Sequence, residues 1–536
     1  MSDFNRRTLL GIIGGSGAAL AGSLSFPALA WDRPPPYNVE PNPKFTTSPF
    51  TLGVASGEPL ADGFVIWTRL APEPLDPHGG MLRRQIPVTW EVAADEQFTT
   101  IVQSGQSMAM PELAHSVHVE VSGLEPNRPY WYRFMVGGEQ SGIGRSRTLP
   151  LPGTPLDRVR FVVAGCQYYE LGYFTAWRKI AEEPIDFVFH YGDYIYEAAG
   201  SQYIYGDNYG KNPPPLRSHV GHELYSIDDY RARYAQYKTD PDLQAAHAAC
   251  PWFVSFDDHE IDNNWAADID ENEIPPEIFA TRKAMALQAY YENMPLRRSS
   301  LPINGHIQMF RSAQYGDLMN AYFLDTRQYR SNQANFDLTS PQGPEVLAAD
   351  RSMLGDRQEA WLFDNLSRST TRWNLIGQQV LLMNLLRQQE GSTELVTGMD
   401  TWSGYLHSRR RLLDHIDKHR PGNVVTVSGD AHLHFAGDLI QDNGDGRVIS
   451  AEFSATSITS GADGTGDDNP RVKSALVGNR ELKAITDKRG YLLCDVDSKL
   501  WHADLKVLDK VTVADGNLSS YARFVVEHSR PGIIRV

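Results

Sequence analysis

Two hydrophobic patterns divide this chain. Between residues 46 and 150, apolar and polar positions alternate in short stretches. These are Val65-Ile66-Trp67-Thr68, Val88-Thr89-Trp90-Glu91-Val92, Val117-His118-Val119-Glu120-Val121 and Tyr130-Trp131-Tyr132-Arg133-Phe134. Period-two alternation predicts strands with one buried face, here separated by turns, and so a small all-β unit. Leu149-Pro150-Leu151-Pro152-Gly153 reads as a linker. Beyond it the apolar runs become continuous, which predicts strands buried on both faces. Helical stretches are expected over 173–183, 282–292, 356–367 and 408–418. Strands alternating with helices imply βαβ units, a mixed or parallel sheet, and an α/β domain over 155–536. Residues 31–45 are proline-rich and read as an extended lead-in. Loops 205–217 and 459–469 are expected to lie over the ends of the strands.

Each continuous run is followed by metal-type side chains. Cys166 follows Arg160-Phe161-Val162-Val163-Ala164-Gly165. Asp193 and Tyr196 follow Asp186-Phe187-Val188-Phe189-His190-Tyr191-Gly192, and Asp257, Asp258, His259 and Glu260 follow Trp252-Phe253-Val254-Ser255-Phe256. Asp430 and His432 follow Val424-Val425-Thr426-Val427-Ser428-Gly429. Ligands of open α/β sheets gather beyond the carboxyl ends of strands. Thiol, phenol, carboxylate and imidazole groups at such ends therefore suggest one polynuclear metal site. Each motif alone also has a plainer reading. Cys166 is equally a buried inert thiol, Asp193 a turn cap, Asp257 to Glu260 a solvated helix start, and Asp430 with His432 a satisfied polar loop.

Composition narrows the function classes. With 41% hydrophobic and 22% charged residues the chain is globular rather than disordered. Its formal net charge of −16 argues against a protein that coats nucleic acid. At the N-terminus, Arg6-Arg7 precede an apolar Gly/Ala-rich stretch, and Ala28-Leu29-Ala30 offers a cleavage site before Trp31. Residues 1–30 resemble a twin-arginine signal peptide, which implies the twin-arginine translocation machinery as partner and a periplasmic or secreted location. No later segment is apolar over the ~18 residues that a membrane span needs. The cysteines are Cys166, Cys250 and Cys494, an odd number that leaves at least one thiol unpaired in an exported protein.

The motifs taken together are more specific. Strand-Cys, Gly-Asp-x-x-Tyr, Asp-Asp-His-Glu and Gly-Asp-x-His, in this order, resemble the calcineurin-like binuclear metallophosphatases. The variants present here resemble the alkaline phosphatase D family within them. Leu324-Asp325-Thr326-Arg327-Gln328-Tyr329-Arg330, Gly377-Gln378-Gln379, Asp400-Thr401-Trp402-Ser403-Gly404-Tyr405 and Glu452-Phe453-Ser454 agree with that family. The resemblance implies a metallophosphatase β-sandwich flanked by helices as the catalytic domain. The corner Gly123-Leu124-Glu125-Pro126 with Tyr130-Trp131-Tyr132-Arg133 resembles a fibronectin type III domain, so a small all-β domain of that kind is expected over 46–150.

By the same resemblance, Cys166, Asp193, Tyr196 and His432 would hold iron(III). Asp193 would bridge to calcium, with Asp258 and Asp430 completing that side and Asn263 and Asp400 as further ligands. Carboxylates in place of nitrogen ligands favour a hard, oxygen-seeking cation. His259 would serve the leaving group, and Arg327 or Arg330 would contact substrate phosphate. The implied reaction is in-line attack by a cation-activated water on a phosphate ester at alkaline pH, with small-molecule phosphate esters as substrates. A serine nucleophile, Ser428 or Ser457, is the rival mechanism. A phospholipase D-type phosphodiesterase acting on lipids or cell-wall polymers, and a non-catalytic cell-wall binding protein, are the alternative functions.

Overall fold

In a computed structural model of the chain the described residues are 38–199, 215–389, 391–441 and 446–536. The signal-like segment 1–30, residues 31–37 of the lead-in and most of the loop 205–217 lie outside them.

Two large sheets carry the architecture. The first has ten strands in the order Arg530–Arg535, Leu518–Glu527, Leu500–Leu508, Gly490–Asp497, Arg158–Ala164, Phe187–His190, Trp252–Val254, Val54–Leu60, Gly63–Arg69 and Ser116–Val121. The second has seven: Arg311–Tyr315, Met319–Phe323, Trp373–Gly377, Asn423–Ser428, Val448–Ser454, His434–Ile440 and Leu482–Thr486. Both are mixed. Arg158–Ala164, Phe187–His190 and Trp252–Val254 run parallel, as do Met319–Phe323, Trp373–Gly377, Asn423–Ser428 and Val448–Ser454.

The continuous apolar runs follow from burial of both strand faces. Phe161 and Val163 meet Phe323, Leu375, Val425 and Val427 in a core between the sheets. Their alternates Val162 and Ala164 face outward onto Phe174, Trp177, Tyr230 and Tyr234. Helices Thr175–Glu182, Ile227–Lys238, Pro241–Ala249 and Pro276–Asn293 supply most of that outer layer. Gly355–Arg368 and Leu406–His419 cover the far side of the second sheet through Leu362, Leu366, Leu412, Leu413 and Ile416. Each fully buried large apolar side chain contributes about 1.5–3 kcal/mol to this stack.

The N-terminal strands divide between sheets. Ile86–Ala93, Ile101–Ala109 and Pro129–Val136 form a five-stranded sheet with two short strands, Glu139–Gln140 and Gly144–Arg147. Val54–Leu60, by contrast, pairs in parallel with Trp252–Val254 at Gly57↔Trp252. A side chain at Gly57 would sit 2.6 Å from the Pro295 carbonyl oxygen, so the junction requires glycine. The N-terminal part is thus built into the sheet that carries the strand-end motifs.

The expected helices occur, as Thr175–Glu182, Pro276–Asn293, Gly355–Arg368 and Leu406–His419. Ile227–Lys238 and Pro241–Ala249 were not expected from the pattern. Ile227–Lys238 buries Tyr230, Arg231, Arg233, Tyr234, Ala235, Gln236, Tyr237 and Lys238, so it shows no single apolar stripe. Its start is nonetheless written in a capping box, Ser226 with Asp229.

Lys238 ends that helix with its ammonium 4.3 Å from the Trp67 ring centre and 5.2 Å from that of Tyr194. Burial, with a smaller push from Arg69, lowers its pKa from 10.5 to about 7. Between those values the unfolded chain binds a proton that the folded chain does not, so stability rises with pH across that window. His190, whose ring nitrogens are buried without hydrogen-bond partners, is pushed by burial down to about 3. Its contribution is complete above about pH 6.5 and is lost as pH falls below that. These two groups each add a rise of the thermal midpoint with pH, against buried carboxyls such as Glu260, whose raised pKa acts in the opposite sense. Lys238→Met should remove the part of the pH dependence that lies between about pH 7 and pH 10.5, about 5 kcal/mol; an unchanged slope in calorimetry would refute the assignment.

Candidate metal centre

Three strand ends lie side by side in the first sheet, with His190 registered on both Ala164 and Val254. The turns that follow are crowded. A side chain at Gly192 (φ 139°) would come 2.4 Å from the backbone nitrogen of Asp257. One at Gly429 would come 2.2 Å from the Tyr191 ring, which brings the fourth turn in from the second sheet. The Cys166 amide donates to the Gly192 carbonyl (3.0 Å) and that of Gln167 to the Asp193 carbonyl (3.1 Å). Cys166, Asp193, Asp430 and His432 all take left-handed backbone conformations, with φ of 51°, 56°, 62° and 57°. For side chains other than glycine this costs about 1–2 kcal/mol per residue, somewhat less for Asp. Strain gathered at four motif positions is the kind that functional sites hold against the rest of the fold.

These turns bring the donor atoms together. The ligand atoms of Cys166, Asp193 and His432 lie within 4.8 Å of one another. The Tyr196 hydroxyl sits 2.8 Å from Asp193 Oδ2, 3.4 Å from His432 Nε2 and 2.6 Å from Ser460 Oγ. Asp193 belongs to a second group with Asp258 and His259, and Asp258 to a third with Asp257 and Asp430. The three groups thus form a chain linked through Asp193 and Asp258. Asp400 lies beside them, its Oδ1 accepting from Arg327 (2.9 Å), Arg330 (2.6 Å) and Gln333 (2.9 Å).

Two expectations meet a different arrangement. Arg327 is wholly buried and is held by Asp257 and Asp400, with its second terminal nitrogen 3.7 Å from Asp258 and 3.6 Å from Asp430. Arg330 binds Asp400 and the Trp265 carbonyl. Both guanidinium groups thus counter the local negative charge, while Arg327 Nη2 is buried without a hydrogen-bond partner. Asn263 turns its amide to Glu271. Its neighbour Asn264 is the one that reaches the cluster, with its N–H on Asp258 Oδ2 (2.9 Å).

Several contributors went unassigned in the sequence. Glu260 accepts the backbone N–H groups of Asp193, Tyr194 and Asp257 and so ties two turns together; burial still pushes its carboxyl up to about 8. Glu197 holds His259 Nδ1 at 2.7 Å and the Asn263 N–H at 3.0 Å. Only its place one residue after Tyr196 marked it. Ser460, on the loop 459–469, bonds the Cys166 carbonyl (2.8 Å). Arg489 pins the same loop to His432 through the Ala462 and His432 carbonyls. Ser428 and Ser457 are wholly buried and bonded to Glu452 and to the Ser460 carbonyl, so neither is an exposed nucleophile.

Electrostatics shows what the cluster lacks. Asp193 Oδ1, Asp257 Oδ2, Asp258 Oδ1 and Asp400 Oδ2 are buried without a hydrogen-bond partner. Burial, then the neighbouring carboxylates Asp257 and Asp400, drives the Asp430 carboxyl far above its usual range. Burial does the same to Asp193, against the opposing charge of His259. Burial followed by Asp193 and Asp430 raises the Cys166 thiol. At Asp258, burial is outweighed by His259 and Arg327, and the carboxyl is held low. Burial also opposes the His259 cation, but Glu197, Asp258 and Asp193 overcome it and raise its pKa. Unpartnered buried carboxylate oxygens beside a thiol, a phenol and an imidazole are suited to bound cations.

A family profile described as PhoD-like phosphatase matches residues 161–505, and one for the N-terminal domain of that phosphatase matches residues 37–150. The chain belongs to the PhoD-like phosphatase family. It is similar to alkaline phosphatase D of Bacillus subtilis (strain 168), with 44% identity over 502 residues that cover 93% of this chain and 84% of that protein. A solved structure of PhoD matches with a TM-score of 0.87 and 44% identity, covering 92% of this chain and 93% of that one. As a PhoD-like phosphatase, the protein is a phosphoric ester hydrolase.

Should His259 serve the leaving group, Glu197, which holds its Nδ1, would act through it. Replacing it with Gln weakens the charge that keeps the imidazole protonated and oriented. We expect Glu197→Gln to lower kcat about 10–100-fold on alkyl phosphates. Nitrophenyl phosphate, whose leaving group needs less protonation, should lose much less. Equal losses on the two esters would mean that Glu197 does not serve leaving-group protonation.

Proposed function

We propose that this chain is an exported, metal-dependent alkaline phosphatase/phosphodiesterase that hydrolyses phosphate esters without a covalent phospho-enzyme. Residues 155–536 would carry the chemistry. The observation behind this reading is the set of buried, unpartnered carboxylate oxygens on Asp193, Asp257, Asp258 and Asp400, which Asp193 links to Cys166 and His432. Cys166, Asp193, Tyr196 and His432 offer strongly donating groups that suit iron(III). Asp193, Asp258 and Asp430, with Asp400 beside them, offer the oxygen donors that suit calcium. Cations held there supply Lewis acidity, lowering the pKa of a bound water and stabilising charge on the phosphoryl oxygens.

The remaining steps belong to side chains. Glu197 fixes Nδ1 of His259, so the proton available for transfer is at Nε2. From there it passes to the departing alkoxide. Arg327, bound to Asp257 and Asp400, keeps the carboxylates from repelling one another apart. A route to the periplasm or the exterior rests on the twin-arginine pattern of residues 1–30. Among the described residues no helix is long and apolar enough to cross a membrane.

Elemental analysis of the purified protein should find iron and calcium, and its visible spectrum a phenolate-to-iron band that Tyr196→Phe removes. Asp193→Ala should cut hydrolysis of nitrophenyl phosphate at least 1,000-fold, to judge from the roughly 10²–10⁴-fold scale on which single catalytic groups act. Full activity in protein free of both metals would overturn the proposal.

A further inference from the structure

Phe336 is the most exposed large apolar side chain among the described residues, with 87% of its surface open. It is also the middle of three consecutive left-handed residues: Asn335 (φ 52°), Phe336 (φ 54°) and Asp337 (φ 56°). An aromatic residue rarely adopts that backbone, and an open phenyl ring gains nothing from burial to offset it. The conformation is imposed from both sides. Gln333 donates to Asp400 Oδ1 (2.9 Å) and to the Asn264 carbonyl (2.5 Å). Ala334 is packed with Val346, Met399 and Leu406. Asn335 donates to Ser340 Oγ (2.8 Å) and Glu345 (3.2 Å). Asp337 Oδ2 accepts from Asn264 Nδ2 (2.5 Å), and Asn264 in turn donates to Asp258.

The ring therefore stands on a turn fastened, before and after it, to residues of the candidate metal centre. Burial, then the Asp400 charge, raises the Asp337 carboxyl to about 7, in keeping with its closeness to that carboxylate. Among the described residues the ring belongs to no core cluster, although Ala334 and Met399 do.

We propose that Phe336 is a specificity residue, packing its face against an aromatic leaving group of the substrate while the phosphoryl group lies at the carboxylate cluster. This rests on the phosphoesterase reading above. Aromatic faces in contact favour offset or edge-on packing, and such pairs add a several-fold preference beyond the area they bury. A small polyol ester has no face to offer the ring. Phe336 would thus set the rank order of substrates rather than the chemistry.

The test compares the metal-loaded enzyme on two esters, phenyl phosphate and glycerol phosphate. In Phe336→Ala the ratio of their kcat/KM values should fall about five- to ten-fold, with the change in KM for the aryl ester. Phe336→Asn should do the same, since Asn accepts the left-handed backbone but lacks the ring, which separates the contact from the strain. Leu338→Ala, at another open apolar position (64% exposed) two residues on, should leave the ratio as it is. A ratio within two-fold of the starting enzyme in both Phe336 variants would overturn the proposal, as would an equal fall in Leu338→Ala. Turnover of both esters by the unaltered enzyme tests the phosphoesterase reading separately; the ratio tests Phe336 alone.

Discussion

The constraint on which this structure turns is the confinement of like charges. Asp193, Asp257, Asp258 and Asp400 reach one another from distant parts of the chain and lie out of water, with Asp430 at their edge. Isolated ionised carboxylates are far too unfavourable in such surroundings, and even paired ones need full hydrogen bonding. Arg327 and Arg330 answer part of the charge and leave particular oxygens unanswered. Which oxygens are left is informative, because Asp193, which carries one of them, also groups with Cys166 and His432. The protein has kept fixed cations where geometry must be held and withheld them where exchangeable ones would act.

The scaffold makes this tolerable. Parallel strands flanked by helices on one side and a second sheet on the other form a close-packed body that can hold unfavourable turns in place. Backbone crowding does the rest. The turn after Phe187–His190 runs so close to the turn after Trp252–Val254 that a methyl group at Gly192 would collide with Asp257. Glu260 then uses one carboxylate to collect the amides of both turns. The donor groups are thus positioned by main chain, and the main chain is positioned by a core that has no chemical role.

Much of the site was legible because its signals are covalently local. An apolar run followed within a few residues by Cys, Asp, Tyr or His joins a buried strand to its functional end in one stretch of sequence, and the strands and most helices followed the same patterns. What was hidden depended on contacts across the chain. Arg327 reads as a loop arginine because nothing nearby in sequence shows that Asp257, Asp400 and Asp430 will surround it. Asn263 and Asn264 are indistinguishable until the left-handed turn at Asn264 decides which one faces Asp258. Glu197 and His259 are 62 residues apart, and only the fold makes them partners. The helix Ile227–Lys238 escaped notice for a related reason: buried on several faces, it lacks the one-sided pattern that reveals surface helices.

The order of strands in the larger sheet bears on how the polypeptide is made. The strand leading to Cys166 is flanked by Phe187–His190 on one side and, on the other, by Gly490–Asp497, which is synthesised far later. Until that segment emerges, Arg158–Ala164 presents an open edge able to pair with any other extended chain. An incomplete product would carry a sticky flank beside unfinished turns, which gives the cell a physical reason to shelter the nascent chain until the strand Gly490–Asp497 arrives.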